Sequence, residues 1–520
     1  MRWRVALTTQ TEIQAEAQAE AITSRDVAKG AGTTLLARLG GVIEVVAQPL
    51  YVWLFGLAGY GLYSALWAAV NLVENIADLG MTSALQRTVP QAHSEQEAVS
   101  SLRAALVLGV GPCLLIAIIA ALAAPSLTHF FNASTQDEGQ LAFIIATFVW
   151  TLPLWAFVEV ATSALRARRV FGAEIRLRLF WEQVVRLIMS VGLWLAQFGT
   201  LAIFLAHVAS LIAISLLCVR LLARHYDLRL LFKGKLFDAA WHDTLKSGLS
   251  ILPANIVARL FSDAPTLGLN ALLPGAQGAI AGGLFAIARK ISSIIQLVRI
   301  AFAYVLAPLA SAQSKIDRKG VSGIYAFATR VSTAVALPTG IVLAASGSAL
   351  LALFGKDAAI ALPAVAIMVA ARVAEAISGA AVPIQQVISG YRSQLLGSFA
   401  GIAISLLAVW WTMPHAGLTG MSAAVGLGIV AAAAIPMWQL HRDDDVHPFA
   451  PPFGRVMLRA CLVTLGGLGL TMATHWLPLA AQLPLLVPIL LGSLWCGCRY
   501  ALPREDREAL GKTGRALRLI

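Results

Sequence analysis

Apolar runs about 20 residues long recur along almost all of this 520-residue chain, near 34–55, 62–84, 104–124, 142–163, 179–198, 201–222, 248–272, 280–306, 325–347, 361–385, 394–413, 418–438, 456–477 and 480–500. A bilayer core about 30 Å thick takes about 20 helical residues to cross, and inside it every backbone N–H and C=O must be satisfied within the segment itself, as an α-helix does. Hydrophobic residues make up 58% of the chain and charged ones 13%, with a mean hydropathy of +0.76. A soluble domain carries about a quarter charged residues. The pattern excludes a soluble globular fold and predicts an all-α polytopic membrane protein with about fourteen transmembrane helices.

The formal charge of +12 would point to nucleic acid in a soluble protein, but here it encodes orientation. With the N-terminus placed in the cytoplasm, and with Arg220, Arg330, Arg459 and Arg499 at the cytoplasmic ends of runs counted with the adjoining loops, 31 of the 39 Lys and Arg fall in the alternate, inner segments; the outer loops hold only Lys356 and the other seven lie within runs. Both termini are therefore expected to be cytoplasmic, with no nucleic-acid partner. The predicted organisation is a retained tail at 1–33, a first lobe of six helices at 34–222, a basic linker at 223–247, a second six-helix lobe at 248–438, a loop at 439–455, two extra helices at 456–500 and a tail at 501–520. The longest outer loops, near 125–141 and 348–360, are too short for an external catalytic domain, so the chain is not expected to be an enzyme. Cys113, Cys218, Cys461, Cys496 and Cys498 lie in or beside apolar runs and form no disulfide framework.

A weak internal repeat supports the two lobes. Ala37-Arg38-Leu39 matches Ala258-Arg259-Leu260, Gly61-Leu62-Tyr63 matches Gly283-Leu284-Phe285, and Pro90 matches Pro308. Six helices per repeat preserve orientation, which predicts lobes related by an axis along the membrane normal around a central cavity, the layout of alternating access.

The stretch Leu54-Phe55-Gly56, Gly59-Tyr60-Gly61-Leu62-Tyr63, Asp78-Leu79-Gly80-Met81-Thr82-Ser83-Ala84-Leu85 and Val89-Pro90, with Leu353-Phe354-Gly355-Lys356 later, resembles polysaccharide flippases of the MOP (MATE-like) exporter superfamily over about residues 34–440. The resemblance implies movement of an undecaprenyl-diphosphate-linked oligosaccharide across the bacterial inner membrane for O-antigen, capsule or exopolysaccharide assembly. Membrane lipids, a polysaccharide polymerase and glycosyltransferases would then be its partners. A lipid II flippase is the alternative, a multidrug exporter or a membrane-embedded glycan polymerase or ligase is further off, and a non-transporting scaffold would tolerate loss of its intramembrane charges.

Ionisable residues inside a bilayer cost about 2.5–3.5 kcal/mol each on insertion scales and so face a cavity or a partner. Arg289, Ser292, Ser293, Gln296 and Arg299 share one face of the eighth run, and Asn71, Glu74, Asn75 and Asp78 repeat that spacing on the second. The stripes either bridge one another or face a shared cavity. Arg289, Arg259 and Arg372 fall near mid-membrane, and guanidinium's permanent charge and planar fork suit a diphosphate. Asp263 and Glu375, at i+4 and i+3, could equally neutralise Arg259 and Arg372. Arg299 and Gln296 complete the candidate substrate-binding set. Glu44, Glu74 and Asp78 are candidate sites for coupling to a proton or sodium gradient, with no other cofactor expected. Glu159 and Arg38 are expected to snorkel, Glu182 and Arg186 to pair locally, and His207 to serve packing. The run His441 to His447 reads as a solvated loop, not a metal site.

Overall fold

The computed structural model describes residues 47–170, 172, 175–233, 237–314, 318–388, 391–509, 515, 518 and 519. Among them regular structure is helical throughout: α1 (Ala47–Ala77), α2 (Met81–Gln91), α3 (Glu95–Leu122), α4 (Glu138–Ala167), α5 (Glu182–Leu195), α6 (Leu201–His225), α7 (Ala239–Leu272), α8 (Gly275–Ser314), α9 (Arg318–Ala345), α10 (Lys356–Gln385), α11 (Tyr391–Asp444), α12 (Phe453–Thr474), α13 (Leu479–Cys496) and a short α14 (Arg504–Ala509).

Ten helices among the described residues are long and apolar enough to cross a membrane. The fourteen predicted runs map onto them unevenly. The first two share α1, interrupted at Gly56 (φ +72°), and the eleventh and twelfth share α11, interrupted at Gly417 (φ +46°). The fifth falls on α5, shortened to 14 residues by the π-helical turn Ile175–Trp181, and the seventh on the more polar α7. The protein is a multi-pass membrane protein; residues 34–46 of the first predicted run lie outside the described residues, and among the described residues length with hydropathy returns ten spans.

Its packing has the polarity of a bilayer solute. Large apolar side chains such as Leu122, Leu216, Trp410 and Trp411 are exposed, while Ser100, Thr162, Ser163, Asn270, Ser292 and Thr333 are fully buried. With lipid outside, helices associate through small residues and interhelical hydrogen bonds rather than through apolar burial. Only 11% and 22% of the apolar windows of α13 and α12 are buried, against 78% for α9, so the C-terminal pair is largely lipid-facing. Arg330 of α9 holds Asp506 of α14 through two bonds of 2.6 and 2.7 Å, tying the C-terminal segment to the bundle.

Two compact units divide the chain. One contains residues 47–54, 73–127 and 140–255; the other contains 55–72, 128–139 and 256–520. The division of the second half falls inside α7, at 255/256, past the 223–247 segment. The described residues of that segment are held on the first unit: Asp238 accepts from the Ser100 hydroxyl at 2.7 and 2.6 Å and from the Trp241 N–H, Arg103 donates to the Lys233 carbonyl, and the Tyr226 hydroxyl donates to the Ala164 carbonyl at 2.8 Å.

Candidate functional site

The Asp78-Leu79-Gly80 signature is a helix break. Leu79 and Gly80 take φ of +52° and +74°, ending α1 and restarting the chain as α2, and Asp78 caps the restart by accepting from the Thr82 N–H at 3.2 Å. Gly80 is required twice. Its φ disfavours a side chain, and a Cβ there would sit 2.3 Å from the Gly248 carbonyl oxygen of α7. The continuous helix predicted over 62–84 is thus broken at its most acidic point, because consecutive left-handed residues cannot continue a right-handed helix.

Around this break the first unit gathers carboxylates. Asp78 and Glu74 are 4% and 3% exposed. One oxygen of Asp78 accepts from Thr82, and the other is buried with no hydrogen-bond partner, facing Gly109 of the π-helical turn Leu106–Val110; a Cβ at 109 would lie 2.7 Å from it. Such turns often accompany functional positions. Two other buried acids of this unit, Glu159 and Glu182, have cations. Glu159 takes Arg178 in two contacts of 2.7 and 3.0 Å, with the guanidinium 4.5 Å above the Trp155 ring, so it is a buried bidentate pair and not a snorkelling group. Glu182 and Arg186 form the expected i+4 pair at 3.4 Å, and the lone His207 joins them, its Nε2 lying 3.5 Å from Arg186 and 3.8 Å from Glu182. Glu44 and Arg38 lie outside the described residues.

The arginines of the second unit are arranged differently. Arg289 of α8 donates to the Ser262 carbonyl, to the Ser262 hydroxyl at 2.7 Å and to Asp263 at 3.1 Å, while Arg259 approaches the other oxygen of Asp263 at 3.8 Å. One carboxylate, 4% exposed, thus serves two guanidiniums that are 29% and 33% exposed. Arg259 lies 13 residues before the end of α7 and Arg289 14 after the start of α8, so on antiparallel neighbours both sit about 20 Å from the intervening turn. Arg372 is paired at 2.6 Å with Glu375.

Arg259 with Asp263 and Arg372 with Glu375 are pairs legible from spacing; the meeting of Arg289 with Asp263, 26 residues apart in sequence, is not. The predicted polar stripe on α8 is only partly open: Ser292 is fully buried, Ser292 and Ser293 return their hydroxyls to the carbonyls of Arg289 and Lys290, and Gln296 is half-buried. The side chain of Arg299 lies outside the described residues. Among the described residues no cluster of three or more metal-ligating side chains occurs, and all five cysteines are free.

The repeat positions Gly61 and Gly283 meet in the second unit, where a Cβ on Gly283 would lie 2.9 Å from the Gly61 Cα and one on Gly61 would lie 1.8 Å from the Ala279 carbonyl oxygen. Nearby, Asn132 and Asn270 clasp. The Asn132 N–H donates to Asn270 Oδ1 at 3.1 Å and its side-chain amide donates to the carbonyls of Asn270 and Leu273 at 2.7 and 3.0 Å. In return, the Asn270 amide donates to the Asn132 carbonyl at 2.9 Å and the Gly275 N–H to Asn132 Oδ1 at 3.1 Å. Nothing in the sequence pattern singles out these two asparagines.

The fold is that of the MOP-superfamily transporters. The structure is similar to that of lipid II flippase MurJ in an inward closed conformation, with a TM-score of 0.69, 12% identity, and coverage of 89% of this chain and 97% of that one. It is also similar to a multidrug resistance MATE family transporter of the MOP superfamily in an inward-facing conformation (TM-score 0.58, 15% identity, 78% and 95% covered) and to one in an outward-facing conformation (0.54, 14%, 79% and 94%). No curated protein sequence matches the chain. The family described as polysaccharide biosynthesis protein matches residues 27–313, more than half of the 520, and the chain belongs to that family.

Proposed function

We propose that this protein is a flippase that carries an undecaprenyl-diphosphate-linked oligosaccharide from the cytoplasmic to the outer leaflet of a bacterial inner membrane by alternating access, in the assembly of O-antigen, capsule or exopolysaccharide. Family membership and a transporter fold support a carrier over an enzyme. The observation that carries the reading is the Arg259–Asp263–Arg289 group. Two guanidiniums on one carboxylate leave a positive charge in excess, and an isolated charge inside a bilayer is too costly to keep without a use. A diphosphate offers more negative charge and more acceptor oxygens than Asp263, so it could draw Arg289 away from the carboxylate, with Arg372, Arg299 and Gln296 as further contacts. Substrate binding would then be an exchange of ion partners, which biases the carrier between states. Asp78, with Glu74 and Glu44, would couple the cycle to a proton or sodium gradient, since a buried carboxylate oxygen without a donor is where such a cation binds.

The second reading, a lipid II flippase, is favoured by the coverage of the MurJ fold. Complementation separates and tests both. In a strain lacking its polysaccharide flippase, wild type should restore surface polysaccharide, Arg289→Ala should accumulate the lipid-linked precursor, and Arg289→Lys should recover in part. Restoration of a MurJ-depleted strain instead would favour lipid II, and full activity of Arg289→Ala would remove Arg289 from the site.

A further inference from the structure

At the basic end of the first unit lies a cavity of about 1040 Å³ between α2 with its loop to α3 on one side and the start of α7 on the other. It exceeds the usual 300–1,000 Å³ of small-molecule sites. Its walls are fixed to one another: Gly80 crosses Gly248 below it, and Asp238 at the start of α7 accepts from the Ser100 hydroxyl of α3 at 2.7 Å. The cavity is therefore preformed.

Three carboxylates and two permanent cations line it, but they are not equally available. Asp238 is spent on Ser100, the Trp241 N–H and Arg103, and Glu97 accepts from the His93 N–H at 2.7 Å while its own N–H donates to the Ser94 N-cap hydroxyl. Both hold the walls. Arg87 and Lys246 are exposed, and neither side chain has a hydrogen-bond or carboxylate partner among the described residues. Only Asp243 faces them with its carboxylate uncommitted. The contrast with the second unit is direct, since Arg259, Arg289 and Arg372 all have carboxylates there.

We propose that this cavity is a separate docking site for the diphosphate-sugar headgroup of the lipid-linked substrate, in which Arg87 and Lys246 take the phosphates and the Ser247, Ser250 and Thr88 hydroxyls face the first sugars. The proposal rests on the flippase reading and adds to it an order of events. The headgroup is held first by free cations at the cytoplasmic end and is then passed to arginines that must exchange a carboxylate for it.

The test is equilibrium binding of radiolabelled farnesyl diphosphate to the full-length protein in nanodiscs, at fixed low salt. Removing both charges as Arg87→Gln with Lys246→Gln should weaken binding by about tenfold or more, because hydrogen bonds to charged groups are the strong ones. Arg87→Lys should keep most of it. Arg224→Gln, which removes an exposed charge at the same end outside the cavity, should change binding less than twofold. Because both targets are surface residues, a matched melting profile excludes misfolding as the cause. Undiminished binding by the double variant overturns the docking site while leaving the flippase reading intact; equal loss in Arg224→Gln overturns it too, by showing only a general field. Absence of farnesyl diphosphate binding by wild type, with pyrophosphate equally inert, contradicts the flippase reading itself.

Discussion

The two units treat buried charge in opposite ways. In the second, cations outnumber their partners at Asp263, whose Oδ2 accepts no hydrogen bond but has Arg259 3.8 Å away, whereas in the first, Glu159 and Glu182 each have an arginine and the unbonded oxygen of Asp78 faces the Gly109 backbone. The lesson is that a buried charge is tolerated when its partner comes from the nearest helix, and that the exceptions mark where an outside ion would be bound. On the proposed reading the buried arginines of the second unit would serve the diphosphate after it leaves the surface cations Arg87 and Lys246, and the buried Asp78 oxygen of the first would serve a small cation.

The largest expected effect is at Asp263: replacing it with Ala strands two guanidiniums, and a full 3–5 kcal/mol for breaking a buried pair, discounted for their one-third exposure, leaves about 2–3 kcal/mol, read as a lower melting temperature in detergent. If the first unit obeys the same rule, Glu159→Ala should cost about as much, since Arg178 is 18% exposed. Gly80→Ala should destabilise by about 2 kcal/mol through the left-handed backbone and the contact with Gly248; a neutral result would mean that the break is not held as described. Asn132→Ala removes the clasp and should cost about 1–2 kcal/mol, with faster hydrogen exchange at residues 270–275. Asp78→Asn keeps the shape and should shift stability by less than about 1 kcal/mol, while transport loses its response to an imposed gradient.

A further effect, set by pH, concerns Tyr226, just past α6. Burial pushes its phenol up to about 12, with Arg168 opposing, so the neutral phenol is what the fold favours. The stability it contributes is whole below the ordinary tyrosine value of about 10 and is lost as pH rises through about 12. Tyr226→Phe should lose about 1 kcal/mol at neutral pH and flatten the alkaline limb of a stability curve between pH 10 and 12.

What the sequence disclosed follows from the range of each interaction. Helices, their apolar faces and the pairs Arg259–Asp263, Glu182–Arg186 and Arg372–Glu375 are local in sequence, and each can be read by counting three or four residues. The repeat glycines Gly61 and Gly283 were visible as matched motifs, and the structure gives the match a cause, because two backbones cross there with no room for a Cβ. The break at Asp78-Leu79-Gly80 was hidden by an apolar run that continues through it. Contacts made across long stretches of chain, such as Arg289 to Asp263, Arg178 to Glu159 and Asn132 to Asn270, have no periodic signature at all. That is why Arg259 and Arg372 were nameable together with their partners while Arg289 was nameable without its own.

Exchange of Asp263 for a diphosphate at Arg289 is decided by translocation of an undecaprenyl-diphosphate-linked disaccharide in proteoliposomes made with Arg289→Gln, alone and combined with Asp263→Asn. Both variants should be inactive, since neutralising the carboxylate cannot restore a lost phosphate ligand. Recovery of transport in the double variant would show that Arg289 serves only to neutralise Asp263, and would contradict the claim.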